Sequence, residues 1–233
     1  MNIFKWFKSF SQKFLNKLRY YQAYVLAKKF QFIYDNFLWN NHENAGESRS
    51  GAGSILKNTA EIRKAIVEIT SKYGMTNMLD ISCGDWNWMK EIANNLPDYT
   101  GLDVVPSAIM ENKNNYEREN IKFINIDALT FLKKCKNKQF DLILARHTLE
   151  HLPLSYNLQL VNEIRRCSKY ALINSKNIDT DNITEQVGGY APINLLLTPY
   201  FEILGEPIIK IDDRCMSEAS GISYTGLYSF SDY

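Results

Sequence analysis

Three aspartates stand where acids can hold a nucleoside, and one short polar cluster stands where a proton can be moved. Asp80 opens the run Asp80-Ile81-Ser82-Cys83-Gly84-Asp85-Trp86, Asp103 follows Gly84 by 19 residues, and Asp127 sits in Ile126-Asp127-Ala128. A small-residue turn such as Ser82 to Gly84 lets backbone approach a ligand at a helix N-terminus. A carboxylate at Asp103 can accept from both hydroxyls of a ribose, with Val104 beside it. An acid at Asp127, next to Ala128, can accept from an exocyclic amino group such as that of adenine. Each acid also has an ordinary structural use, as a hydrogen-bond partner of the turn or a cap of the next helix; their joint placement favours the ligand. The polar cluster is Arg146-His147-Thr148-Leu149-Glu150-His151. There His147 suits a general base, and Arg146 with His147 suits an acceptor-orienting pair. As letters, His147-x-x-Glu150-His151 matches a zinc motif that needs a helix carrying both histidines on one face. Here an apolar strand leads in and Pro153 follows, so no metal is expected.

These residues must be positioned, and the chain around them alternates. Apolar strand-like runs at 77–82, 99–104, 121–126, 139–146 and 169–174 are separated by helical patterns near 86–96, 107–118, 128–136 and 156–167. Strands alternating with helices predict a parallel, doubly wound α/β sheet, with the three acids at successive strand ends. The tail, FEILGEPIIKI and GISYTGLYSF, reads as a closing antiparallel pair. Upstream, Ser54 is expected to cap a helix over 55–73 that Gly74 stops. Residues 40–54 are polar and rich in Gly and Ser, which predicts a loop. Within it, Arg49 suits an anionic group and the Glu47 to Ser50 stretch suits a flap over the cofactor; an exposed polar linker is the plainer alternative. Tyr190, in a Gly-Gly-Tyr segment after the fifth strand, suits an acceptor pocket.

Composition limits the partners. The 233 residues carry 27 basic and 26 acidic side chains, a net charge of +1 that asks for no nucleic acid. The balance is uneven, because residues 1–34 hold seven basic residues and no acid, leaving −6 for the remainder. In that segment Phe4, Phe7, Phe10, Phe14, Leu18, Tyr21, Val25, Phe30 and Ile33 recur at helical spacing among lysines. The reading is an amphipathic basic helical extension over 1–40, which packs on the domain, mediates a homo-oligomer, or makes a peripheral membrane contact. Four widely spaced cysteines and the lack of a secretory apolar run predict a cytoplasmic protein.

The order Met78-Leu79-Asp80-x-Ser82-Cys83-Gly84, Gly101-Leu102-Asp103, Asn125-Ile126-Asp127-Ala128 and Phe140-Asp141-Leu142-Ile143 running to Glu150-His151-Leu152 resembles class I S-adenosylmethionine-dependent methyltransferases. The resemblance covers about residues 55–233, with 41–54 as a loop or lid before the methyltransferase domain. It implies a Rossmann-like sheet of about seven strands with an antiparallel last strand, and S-adenosylmethionine as cofactor. It assigns Asp80 with Gly84 to the methionine side, Asp103 to the ribose and Asp127 to adenine, with Ser82, Trp86, Val104, Ala128 and Arg49 as further expected cofactor-binding residues. The turn departs from the family's D-x-G-x-G-x-G by carrying Ser82, Gly84 and Trp86, and that departure admits a catalytically inactive, nucleoside-binding partner subunit as the alternative. A nicotinamide enzyme would need G-x-G-x-x-G where the chain has S-C-G-D-W-N. The fourth strand lacks the D-P-P-Y or N-P-P-Y of nucleobase and amide methylation, so a small-molecule acceptor is expected. The segments ESRSG and CGDWNWM resemble a bacterial branch encoded with surface-polysaccharide genes, which implies a sugar or sugar-linked acceptor.

Overall fold

Strands form where apolar runs can be buried on both faces. In the computed structural model, which describes residues 22–39, 46–179, 181–182, 187–213 and 222–230, five parallel strands build the centre: β1 (Asn77–Asp80), β2 (Asp98–Asp103), β3 (Ile121–Asn125), β4 (Phe140–Ala145) and β5 (Ser168–Asn177). All six residues of β4 are buried, as a central parallel strand requires. The antiparallel tail is present as β6 (Ile209–Asp212) and β7 (Ile222–Ser229), with β7 inserted between β5 and β6. The full order is β3-β2-β1-β4-β5-β7-β6. The order turns outward on both sides of β1 and β4, so the crevice beyond their carboxyl ends is where such a sheet receives ligands.

Helices cover both faces. We number them α1 (22–35), α2 (Ala60–Lys72), α3 (Pro106–Tyr116), α4 (Ala128–Leu132), α5 (Leu154–Cys167) and α6 (Tyr200–Leu204). Ile62, Ile66 and Ile69 bury one stripe of α2, and Leu160, Val161 and Ile164 bury one stripe of α5. Each such side chain contributes roughly 1.5–3 kcal/mol by leaving water. Pro106 starts α3, where its missing N–H costs nothing.

Several boundaries differ from expectation for local reasons. Ser54 does not cap α2; it ends a short 3₁₀ turn, Ala52–Ser54, and a second, Lys57–Thr59, leads into the helix. The helical pattern near 86–96 is 3₁₀ over Met89–Asn95. FEIL supplies most of α6 and not a strand, and Gly205 at φ 68° ends it. In α1 the buried face is Leu26, Ile33 and Tyr34, while Val25 is turned outward. The part of the extension before residue 22 lies outside the described residues.

Candidate active site

The three acids meet in one cleft at the carboxyl ends of β1, β2 and β3. Asp80 is 3% exposed and accepts from Ser82 N at 3.2 Å and Tyr99 Oη at 2.9 Å. Gly84, at φ 56°, turns the chain so that its N–H donates to Asp103 Oδ2 at 2.9 Å, and Val105 N donates to Oδ1 at 2.9 Å. Asp127 caps α4 by accepting from Thr130 N at 2.8 Å and takes a hydrogen bond from Tyr156. Each acid thus does its structural work and still faces the cleft, because a carboxylate has lone pairs to spare. Burial pushes the Asp80 carboxyl up to about 7 and that of Asp103 to about 6. Two carboxylates held so are paired poorly with charge, and a cationic ligand relieves both.

The cleft is covered by sequence-distant groups. The Asp85 carboxylate accepts from Ser48 Oγ at 2.8 Å, Arg49 N at 2.7 Å and Ser50 Oγ at 3.0 Å. Glu47 Oε1 accepts from Asn87 Nδ2 at 2.8 Å and Leu56 N at 2.7 Å. The stretch from Glu47 to Ser50 is therefore a strap tied to the β1 turn. Tyr34 of α1 joins it through a 2.5 Å hydrogen bond to Ser50 Oγ. A side chain at Gly84 would run into Ser50 and sit 3.0 Å from Tyr34 Oη, so only glycine fits beneath the strap. Leu26 and Phe30 of α1 complete the apolar wall.

The fourth strand end supplies the polar wall. His147, at φ 50°, donates its backbone N–H to Asn174 Oδ1 at 2.7 Å, and its Nδ1 lies 2.5 Å from Glu150 Oε1. Asn174 Nδ2 donates to both Glu150 oxygens, at 3.1 and 3.0 Å. Burial works to raise the Glu150 carboxyl, but His147, His151 and Asn174 outweigh it and hold it at about 2. An ionised carboxylate on Nδ1 orients the imidazole and stabilises its protonated form. A Cβ at Gly53 would fall 2.9 Å from His147 Cδ2 and 3.0 Å from Nε2, so glycine lets the backbone there pack against the ring. His151 Nδ1 lies 2.5 Å from the Gly189 carbonyl, and its ring sits between Trp39 and Tyr190, with centroids 5.0 and 6.0 Å away.

Asp80, Ser82, Gly84, Asp103, Val104, Asp127, Ala128, Arg146 and His147 all line the cleft. Two expected ligand residues do not. Trp86, at φ 56°, packs below the turn among Tyr99, Tyr116 and Phe123 and is 1% exposed. Arg49 reaches away, over the Phe37 ring at 5.6 Å and toward Glu111 at 3.7 Å; only its backbone serves the strap. Arg146, expected to act on the acceptor with His147, lines the cleft with its side chain anchored. Its guanidinium holds Asp213 through two bonds of 2.9 and 2.6 Å and donates to the Gly53 carbonyl at 2.7 Å. Among the described residues no group of three His, Cys, Asp or Glu is arranged to hold a metal ion. Sequence reasoning missed Tyr34, Trp39, Trp88, Thr148 and Tyr156 as lining residues; aromatic spacing in the first 40 residues was their one visible signal, and it covers only the first two.

This geometry has counterparts. Residues 78–170 match the methyltransferase domain family, from Met78 in β1 to Tyr170 in β5. The N-methyltransferase NodS from Bradyrhizobium japonicum WM9 is similar in structure, at 18% identity and a TM-score of 0.56, over 76% of this chain and 98% of that one. The 1,6-didemethyltoxoflavin-N1-methyltransferase of Burkholderia thailandensis, solved with 1,6-didemethyltoxoflavin and S-adenosylhomocysteine, is similar at 13% identity and a TM-score of 0.61, over 91% and 90%. No curated protein matches the chain. Residues 78–170 thus match a methyltransferase domain, and the sheet that carries them has the fold of these methyltransferases.

Proposed function

We propose that the protein transfers the methyl group of S-adenosylmethionine to a hydroxyl of a small molecule, of the sugar or sugar-linked kind used in surface polysaccharide. The observation that carries this is the His147-Glu150-Asn174 array in the same cleft as Asp80, Asp103 and Asp127. The donor set fits the cofactor. Asp80 and Asp103 are two poorly compensated carboxylates that face the cleft beside the Ser82 to Gly84 turn. Asp103 would hold the ribose hydroxyls, Asp80 and Ser82 the methionine end, and Asp127 with Ala128 the adenine. When bound, S-adenosylmethionine supplies a methyl group on a positively charged sulfur that leaves as a neutral thioether.

The chain's own work is orientation and proton removal. An amine attacks before it loses a proton, whereas an aliphatic hydroxyl is a poor nucleophile until its proton is drawn away. His147 Nε2 takes that proton, and Glu150 stabilises the resulting imidazolium. Arg146 fixes Gly53 through its carbonyl. Trp39, beside His151 in the cleft lining, is a flat apolar surface on which the C–H face of a sugar can rest. The sugar acceptor is further supported by the resemblance of the strap and turn sequences to polysaccharide-linked methyltransferases.

The test is calorimetric titration with S-adenosylhomocysteine, followed by single-turnover methyl transfer to nucleotide-linked and free sugars read by mass spectrometry. Asp103→Ala should weaken S-adenosylhomocysteine by about 2–3 kcal/mol, the range of charge-assisted hydrogen bonds. A folded Asp103→Ala protein with unchanged affinity rejects the ribose assignment. Tight binding without transfer to any hydroxyl acceptor favours the inactive partner subunit.

A further inference from the structure

The two faces of α1 have opposite characters. Leu26, Phe30 and Tyr34 line the cleft. The other side carries Tyr24 at 51% and Phe32 at 55% exposure, about two turns apart, with Lys28 between them and its Nζ 5.7 Å from the Tyr24 ring. Val25 joins this face, and exposed Phe37 and Leu38 follow the helix. Large apolar side chains exposed this densely over fifteen residues are unusual on a protein that meets only water. The sequence leading into α1 continues the same chemistry. Residues 1–21 contain five basic and seven aromatic residues and no acid, and the first acid of the chain is Asp35.

We infer that the outer face of α1, with the basic aromatic segment before it, docks the protein on an anionic lipid surface, and that the acceptor reaches the cleft from that surface. Aromatic rings at the headgroup level and lysines facing lipid phosphates are the pairing such an interface rewards. A second copy fits less well, since each chain would bring a segment of net +7 against its like. Among the described residues no helix is long and apolar enough to cross a membrane, so the contact lies in the interface plane. An α-helix is about 10 Å across. With one face on the headgroups, the face lining the cleft is held one helix diameter above them. For the acceptor this inference rests on the methyl-transfer reading, and it specifies that reading: the sugar hydroxyl is carried on a lipid.

The experiment is flotation of the full-length protein with vesicles of phosphatidylcholine alone and of phosphatidylcholine with phosphatidylglycerol, alongside titration with S-adenosylhomocysteine. The full-length protein should float with the anionic vesicles at low salt, stay down with the neutral ones, and be released at high salt. A Lys28→Glu/Phe32→Ser variant should bind the anionic vesicles about tenfold more weakly and hold S-adenosylhomocysteine as the wild type does. Full-length protein that stays down with anionic vesicles, or a variant that floats equally well, overturns the inference. So does a concentration-dependent dimer that the variant loses, without any flotation, which assigns the face to a second copy. Flotation without S-adenosylhomocysteine binding removes the methyl-transfer reading and leaves the docking; binding without flotation does the reverse. The acceptor is tested by presenting one sugar in free and lipid-linked form on anionic vesicles. Faster transfer to the lipid-linked form by the wild type, lost in the variant, supports it, and equal rates overturn it.

Discussion

Glu150 holds Nδ1 of His147 at 2.5 Å while Asn174 bonds both the His147 backbone and the Glu150 carboxylate, so one asparagine aligns the two ends of the pair. This arrangement separates orientation from charge. His147→Ala should lower single-turnover methyl transfer about 10²- to 10⁴-fold with S-adenosylhomocysteine affinity unchanged. Glu150→Gln keeps the hydrogen-bonding shape but removes the negative charge, and should move the rising limb of the pH–rate profile to lower pH as well as slow the reaction. A His147→Ala enzyme at wild-type rate eliminates the base.

Gly53 borders the same nitrogen. Gly53→Ala puts a methyl group 2.9–3.0 Å from the His147 ring, which must shift. The acceptor's KM should rise, turnover should fall, and cofactor affinity should hold, because the new group lies on the acceptor side. Steady-state kinetics with the acceptor varied reads this directly, and loss of S-adenosylhomocysteine binding instead would place Gly53 on the wrong side of the cleft.

The Asp80 carboxyl is raised by burial from 3.8 to about 7, and this has two consequences of definite sign. The folded protein keeps this proton where the unfolded chain has lost it, so its contribution to stability is full below pH 4 and is lost as pH rises through 7. A ligand ammonium prefers the ionised form, so S-adenosylhomocysteine should bind more tightly as pH rises through 7, releasing a proton. Calorimetry in buffers of different ionisation heat counts that proton. Asp80→Asn should abolish the release; a variant that still releases it shifts the titration to another group.

Arg146 and Asp213 form a buried ion pair, at 6% and 2% exposure, that joins the end of β4 to the residue following β6. Asp213 also accepts from Thr225 Oγ1 at 2.5 Å. Removing one partner leaves an uncompensated charge, so Asp213→Asn should cost about 3–5 kcal/mol in denaturant unfolding. A loss under 1 kcal/mol would mean that water reaches the guanidinium.

The parallel order and the three acids were legible because strand ends announce themselves locally: an apolar run stops, a small or acidic residue follows, and a helix starts. Trp86 misled for a local reason as well. A residue next to a ligand turn reads as a ligand residue, but the positive φ there carries the indole into the aromatic cluster under the sheet. The strap was only partly legible. Its polar letters suggested a flap, yet the roles divided unexpectedly, with the Arg49 backbone bonding Asp85 while its side chain leaves the site. The placement of Tyr34, Trp39 and Tyr156 depends on contacts between segments far apart in sequence, which no spacing rule encodes.

The strap also bears on how turnover ends. Ser48, Arg49 and Ser50 are fastened to Asp85, and Tyr34 is fastened to Ser50, so the β1 turn, the strap and α1 are one hydrogen-bonded unit. Departure of the spent cofactor past Ser50 would have to loosen that unit, and an Asp85→Asn protein should then let S-adenosylhomocysteine go faster in stopped flow.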